Sequence, residues 1–166
     1  MRILDLGGKW TLTNRQNGIA TPATVPGCVH TDLMASGLIE DPYHRDNEEK
    51  VQWIGETDWT YSREFRAPAA MLSGERVALR CEGLDTLATV RLNGKLLGRA
   101  DNMFRVWEFD AKKALRAGAN TLEIRFASTL PYIRQREKQH PHVRGFRPPH
   151  RIPGGASAVH DNGMLG

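Results

Sequence analysis

The sequence has no apolar run near the ~18 residues of a membrane span, and its opening, Met1-Arg2-Ile3-Leu4-Asp5, lacks the charged-then-apolar pattern of a secretory signal. A chain with neither is expected in the cytoplasm, with no membrane partner. Cysteine is scarce: Cys28 and Cys81 lie far apart, without CxxC spacing or a paired histidine cluster, which argues against a zinc site or a disulfide framework. Each is expected to pack as a small buried residue. Length is short too. A (β/α)8 barrel needs roughly 250 residues, and 166 are present, so that enzyme architecture is excluded. They suffice for one domain, or one domain and a tail, with a core that folds unaided. No phosphate-cradling glycine motif occurs: Gly154-Gly155 has neither a strand before it nor a helix after it, and no cofactor is implied.

What is present reads as an ordinary domain, 40% hydrophobic and 25% charged. The net charge of +4 lies wholly in residues 128–166, where Arg134, Arg136, Lys138, Arg144, Arg147 and Arg151 face only Glu137 and Asp161. The first 127 residues are neutral, whereas a nucleic-acid partner calls for a basic face on the folded part. Proline and histidine are also concentrated after 127, with almost no hydrophobic period. Residues 128–166 are therefore expected to be an extended basic arm.

Residues 1–127 carry period-2 patterns. Trp59, Tyr61, Arg63 and Phe65 alternate with Thr60, Ser62 and Glu64; Val77, Leu79 and Cys81 alternate with Ala78 and Arg80; Leu122, Ile124 and Phe126 alternate with Glu123 and Arg125. Such strands are antiparallel and half-buried. Thr86–Leu92, Asn93-Gly94 and Lys95–Gly98 form a hairpin, because Asn-Gly supplies the two positive-φ positions of a type I′ turn. Further strands are expected at Trp10–Leu12 and Phe104–Phe109, short helical turns at His30–Ala35 and Ala111–Leu115, a turn at Gly118-Ala119-Asn120, and a long surface loop over Gly37–Asn47. The spacing points to an all-β sandwich or jelly roll with one or two short helices.

Several residue groups suggest chemistry. Glycoside hydrolysis needs two carboxyl groups at a defined separation, and acids cluster at Glu40-Asp41, at Asp46 with Glu48-Glu49, and at Glu56 with Asp58. Sequence spacing alone does not bring two of them together. Trp53, Trp59 and Trp107 could form a platform for a sugar ring, although Trp59 shares a face with Tyr61 and Phe65 and so reads as core. His140-Pro141-His142 and His150 offer imidazole ligands, but no Cys or acidic cluster joins them, and no metal site is assigned. A triad of Ser36 or Ser62 with His30 and Asp32 lacks the Gly-x-Ser-x-Gly elbow.

Longer phrases are more specific. Val25-Pro26-Gly27-Cys28-Val29-His30-Thr31-Asp32-Leu33, Asp41-Pro42-Tyr43-His44-Arg45-Asp46-Asn47-Glu48, Gln52–Tyr61, Glu82-Gly83-Leu84-Asp85-Thr86, Leu92-Asn93-Gly94, Ala100–Arg105 and Asn120–Ile124 follow one another in order. Together, over about residues 5–157, they resemble the N-terminal region of β-mannosidases of glycoside hydrolase family 2. The resemblance implies a galactose-binding-domain-like jelly roll preceding an immunoglobulin-like domain and a catalytic barrel, which would be this chain's partners. It also implies retaining hydrolysis of terminal β-mannosides by two barrel glutamates, which have no counterpart here. The family's Gly-Trp-Asp-Trp-Gly-Pro-like segment, which lines the sugar pocket, is expected where this sequence reads His160–Gly166. No residue of the chain is therefore expected to be catalytic.

By the same resemblance, the loop Asp41–Glu48 reaches toward the substrate pocket, so Arg45, Asp46 and Asn47 are candidate pocket residues, with Trp53, Asp101 and Asn102 as further candidates. Amides and carboxylates bind sugar hydroxyls directionally, and an indole packs on ring C–H groups. The bland alternative is that Arg45 and Asp46 pair locally and Asn47 caps a turn. The expected function is a non-catalytic accessory domain that packs on a barrel and rims its pocket. A free-standing carbohydrate-binding module using exposed tryptophans is the alternative, and a small hydrolase using Glu56 and Asp58 or the Asp46 cluster is the third reading.

Overall fold

Alternation of apolar and polar residues builds the main sheet in the computed structural model, which describes residues 2–139. Strand β1 (Gly8–Asn14) buries Trp10, Leu12 and Asn14; β2 (Ile19–Val25) buries Thr21 and Ala23; β3 (Trp59–Ala67) buries Trp59, Tyr61 and Ala67. Strand β4 (Ala78–Cys81) is half-buried, and β5 (Ala88–Leu92) buries Ala88, Val90 and Leu92. Next come β6 (Lys95–Ala100), β7 (Trp107–Asp110) and β8 (Gly118–Phe126), the last burying Asn120, Leu122, Ile124 and Phe126. The six-stranded antiparallel sheet runs β2-β1-β3-β8-β5-β6, and β4 pairs with β7 in a second, two-stranded sheet. The apolar face of the large sheet packs on β4–β7, on helix α1 (Val29–Ala35) through Val29 and Leu33, and on Val51 and Ile54. Each fully buried large apolar side chain there contributes about 1.5–3 kcal/mol.

The Asn93-Gly94 turn has φ of 52° and 77°, the left-handed pair a type I′ hairpin needs. Asn93 also donates from Nδ2 to the Ala114 carbonyl at 2.8 Å and to Asn120 Oδ1 at 2.7 Å, so one residue fixes both the hairpin and the entry to β8.

Three local expectations are revised, and one strand falls outside all of them. β2 is a full strand that the pattern Ile-Ala-Thr-Pro-Ala-Thr-Val conceals; Pro22 is accommodated because β2 is an edge strand. The strand expected from Phe104 begins at Trp107, leaving Phe104 in a loop. Gly118-Ala119-Asn120 opens β8 and pairs with Ala67, Arg66 and Phe65, with Gly118 at φ 83° as the bend into the strand. The beginning of the segment read as an extended arm is helical, α3 (Thr129–Gln139). Ser128 caps it, its Oγ accepting from the Leu130 N–H at 3.4 Å, and Pro131 falls in the first turn, where no intrahelical donor is needed. Arg136 and Lys138 then sit favourably at the negative end of the helix dipole. His140, His142, His150, Gly154-Gly155 and the rest of the arm lie outside the described residues.

Candidate functional site

The strand register gathers the candidate residues at one end of the sandwich. Trp59 of β3 lies opposite Phe126 of β8, Phe126 opposite Ala88 of β5, and Ala88 opposite Ala100 of β6. The loop carrying Arg45, Asp46, Asn47 and Trp53 runs into Trp59, and the loop carrying Asp101 and Asn102 leaves Ala100. Three interstrand gaps of ~4.8 Å put the two loop roots ~14 Å apart, so they flank a shared end without touching at their bases. The chain also leaves the sheet here, through Phe126 into α3.

The first loop is held by its own polar groups. Asp41 Oδ1 accepts from the Tyr43 N–H at 2.9 Å, and Arg45 takes a left-handed φ of 53° at the bend. Helix α2 (Asn47–Lys50) follows. Asn47 is only 7% exposed; its Nδ2 donates to the Asp41 carbonyl at 3.0 Å and its Oδ1 accepts from Lys50 Nζ at 2.9 Å. Lys50 also reaches Glu40 at 3.4 Å, an exposed ion pair of small weight. The Asn47 amide is thus spent on closing the loop, while Arg45 and Asp46 are exposed. Replacing Asn47 by alanine should cost about 1 kcal/mol and quicken amide exchange over residues 41–50 while β3 and β8 stay protected, as hydrogen exchange would report.

Trp53 is half-buried, its ring 5.8 Å from that of Trp59 and inclined at 45°. On the second loop Asp101 is exposed, whereas Asn102 builds the turn: its Oδ1 accepts from the Phe104 N–H at 2.8 Å and its carbonyl from Trp107 Nε1 at 2.9 Å. Trp107 stacks parallel to Phe109, centroids 6.2 Å apart, and the Arg105 guanidinium lies 4.4 Å over its ring. Two further indoles are closed off: Trp59 is fully buried with Nε1 donating to the Ile54 carbonyl, and Trp10 is buried and donates to that of Leu6.

The residues of the hydrolytic alternatives have other engagements. Asp58 is tied up: it pairs with Arg125, and its Oδ1 accepts from the Ser128 N–H at 2.9 Å, while Ser128 Oγ donates to the Gly55 carbonyl at 2.7 Å. That clamp fastens α3 to the loop before β3, and Asp58 was legible only as half of an acidic pair. Asp32 is buried, accepting from Tyr61 Oη at 2.7 Å and the Thr24 N–H at 3.0 Å; burial raises its pKa, and the two hydrogen bonds pull the other way. Ser36 bonds Thr21 instead, and Ser62 faces outward on the strand whose Tyr61 faces Asp32, so no triad forms. Burial pushes the Cys81 thiol up to about 11, well away from a nucleophilic thiolate. Two shallow depressions of about 360 Å³ each lie on the outer sheet face around Thr11, Ser62 and Glu123, away from all six candidates.

A family model described as the glycosyl hydrolase 2 galactose-binding domain-like family matches residues 10–160. The chain belongs to this family. Among curated relatives of this glycosyl hydrolase 2 domain, the β-mannosidase of Bos taurus is 39% identical over 137 residues, 82% of this chain and 16% of the bovine protein. β-Mannosidase B of Emericella nidulans is 42% identical over 119 residues, 71% of this chain and 14% of the fungal protein. The crystal structure of β-D-mannosidase from Dictyoglomus thermophilum superposes with a TM-score of 0.81 at 42% identity, over 85% of this chain and 17% of that one. The galactose-binding-like jelly roll is therefore the fold, and the chain corresponds to the N-terminal domain of family 2 β-mannosidases. It spans about a sixth of the length of these relatives.

Proposed function

We propose that this chain is a non-catalytic accessory domain of a β-mannosidase-like glycosidase, packing on a catalytic barrel and an immunoglobulin-like domain and lending loops to the rim of the sugar pocket. The expected parent reaction is retaining hydrolysis of terminal β-mannosyl residues. The observation that carries the reading is the match to β-mannosidases over only a sixth of their length. The state of the acidic residues supports it: Asp58 and Asp41 are engaged in the fold, and Asp46 and Glu56 stand exposed on turns. Arg45, Asp46 and Asp101 are the groups left to meet a ligand, with Trp53 half-exposed on the same loop as the first two, while Asn47 and Asn102 shape the turns.

The 166-residue chain, incubated with a chromogenic β-mannoside and titrated calorimetrically with mannose and mannobiose, is expected to give no turnover and no saturable heat. Saturable binding would favour the free carbohydrate-binding module. Turnover abolished by Asp46→Ala or Glu56→Ala would overturn the accessory reading.

A further inference from the structure

The end of the sandwich that gathers the candidate loops also bears two exposed aromatic rings, Phe104 at 89% and Tyr43 at 82%, with Val106 exposed two residues after Phe104. A lone solvated ring is ordinary, but these are held in place. Asn102 holds the Phe104 N–H through its side chain and the Trp107 indole through its carbonyl, and the Arg105–Trp107–Phe109 stack ties that turn to the core through Phe109, which is itself buried. Tyr43 stands on the loop closed by Asp41 and Asn47. Such preorganised anchors lose little conformational freedom on being covered. The chain leaves the sheet at this same end, through Phe126 and the Ser128 cap. The relatives are about five times as long as this chain, so most of their polypeptide lies outside the part it matches.

We propose that Phe104 and Tyr43 are the anchors of an interface covered, in the longer enzyme, by the downstream part of the same polypeptide. The proposal rests on the accessory-domain reading and names its docking surface. The complementary surface is an apolar socket that accepts the two rings.

Hydroxyl-radical footprinting tests it on three samples: the 166-residue chain alone, the chain fused ahead of the downstream part of the Dictyoglomus thermophilum β-mannosidase, and the chain mixed with that part as a separate protein. Oxidation of Phe104 and Tyr43 should slow by about fivefold or more in the fusion or the mixture, while Leu96, exposed on the β5–β6 hairpin at the far end of the sheet, keeps its rate. Phe104→Ser should leave the melting temperature of the isolated chain unchanged and weaken association in the mixture by about tenfold. Protection of neither ring in both samples overturns the proposal. If Tyr132 and Ile133 of α3 are protected while Phe104 and Tyr43 stay reactive, docking stands and this surface fails; if nothing is protected, the accessory reading fails with it.

Discussion

Trp59→Ala is expected to destabilise the chain by about 4 kcal/mol, seen as a drop of about 8–16 °C in melting temperature and a lower urea midpoint with an unchanged m value. The indole is fully buried at the root of β3, opposite Phe126 in the register and beside Trp53. Truncation removes most of that burial and leaves a cavity that a sheet, fixed on both sides by hydrogen bonds, does not close. It also removes the bond that Trp59 Nε1 donates to the Ile54 carbonyl at 2.9 Å. Trp59→Phe keeps most of the apolar volume and loses that bond, so it should cost less than half as much. Equal costs for the two variants would mean that packing contributes little at this position, contrary to the argument. The same contacts fix the 3₁₀ turn Gln52–Ile54, so amides of residues 41–58 should exchange faster in Trp59→Ala than those of β5 and β6.

The strands that alternate strictly were legible because their outward residues are charged or hydroxylic: Thr60, Ser62 and Glu64 on β3, Glu123 and Arg125 on β8. β2 was not, since Ala, Thr and Pro carry little hydrophobic contrast and its place at the edge relaxes the demand for it. α3 was obscured by the proline and charge content of the segment that contains it, although Ser128 three residues before Pro131 is a cap followed by a first-turn proline, and that local signal outweighs composition. The candidate loops were legible as loops and by resemblance. What the sequence did not reveal was which of their polar side chains would be consumed internally: Asn47 and Asn102 look as available as Asp46 and Asp101 until the backbone groups they satisfy are placed. Nor did spacing disclose that both loops rise from one end, which depends on the pairing β3-β8-β5-β6.

Tyr61→Phe should cost about 2–3 kcal/mol near neutral pH and only about 1 kcal/mol in acid, because the bond it deletes goes to a carboxylate in one case and to a carboxylic acid in the other. Tyr61 is buried, and burial together with Asp32 pushes its own pKa well up, so it stays a donor across this range. Asp32 has its pKa raised above the ordinary 3.8, first by burial, against the opposing pull of the bonds from Tyr61 and Thr24. In the interval between 3.8 and the raised value the folded chain holds a proton that the unfolded chain has released, so this group's contribution to stability falls as pH rises through it. Removing the Tyr61 hydroxyl deprives the charged form of a donor, shifts the Asp32 pKa further up and steepens that fall. Asp32→Asn abolishes the titration, so Tyr61→Phe made in that background should have a cost independent of pH. Denaturant melts of the four proteins at several pH values would decide it, and a Tyr61→Phe cost that stays constant from acid to neutral with Asp32 present would sink the argument. The pair matters beyond stability. Asp32 bonds α1 to both β2, through Thr24, and β3, through Tyr61, and α1 delivers the chain into the loop that carries Tyr43, Arg45 and Asp46. Whatever weakens the pair loosens the root of the surface through which the domain is proposed to meet the rest of its enzyme.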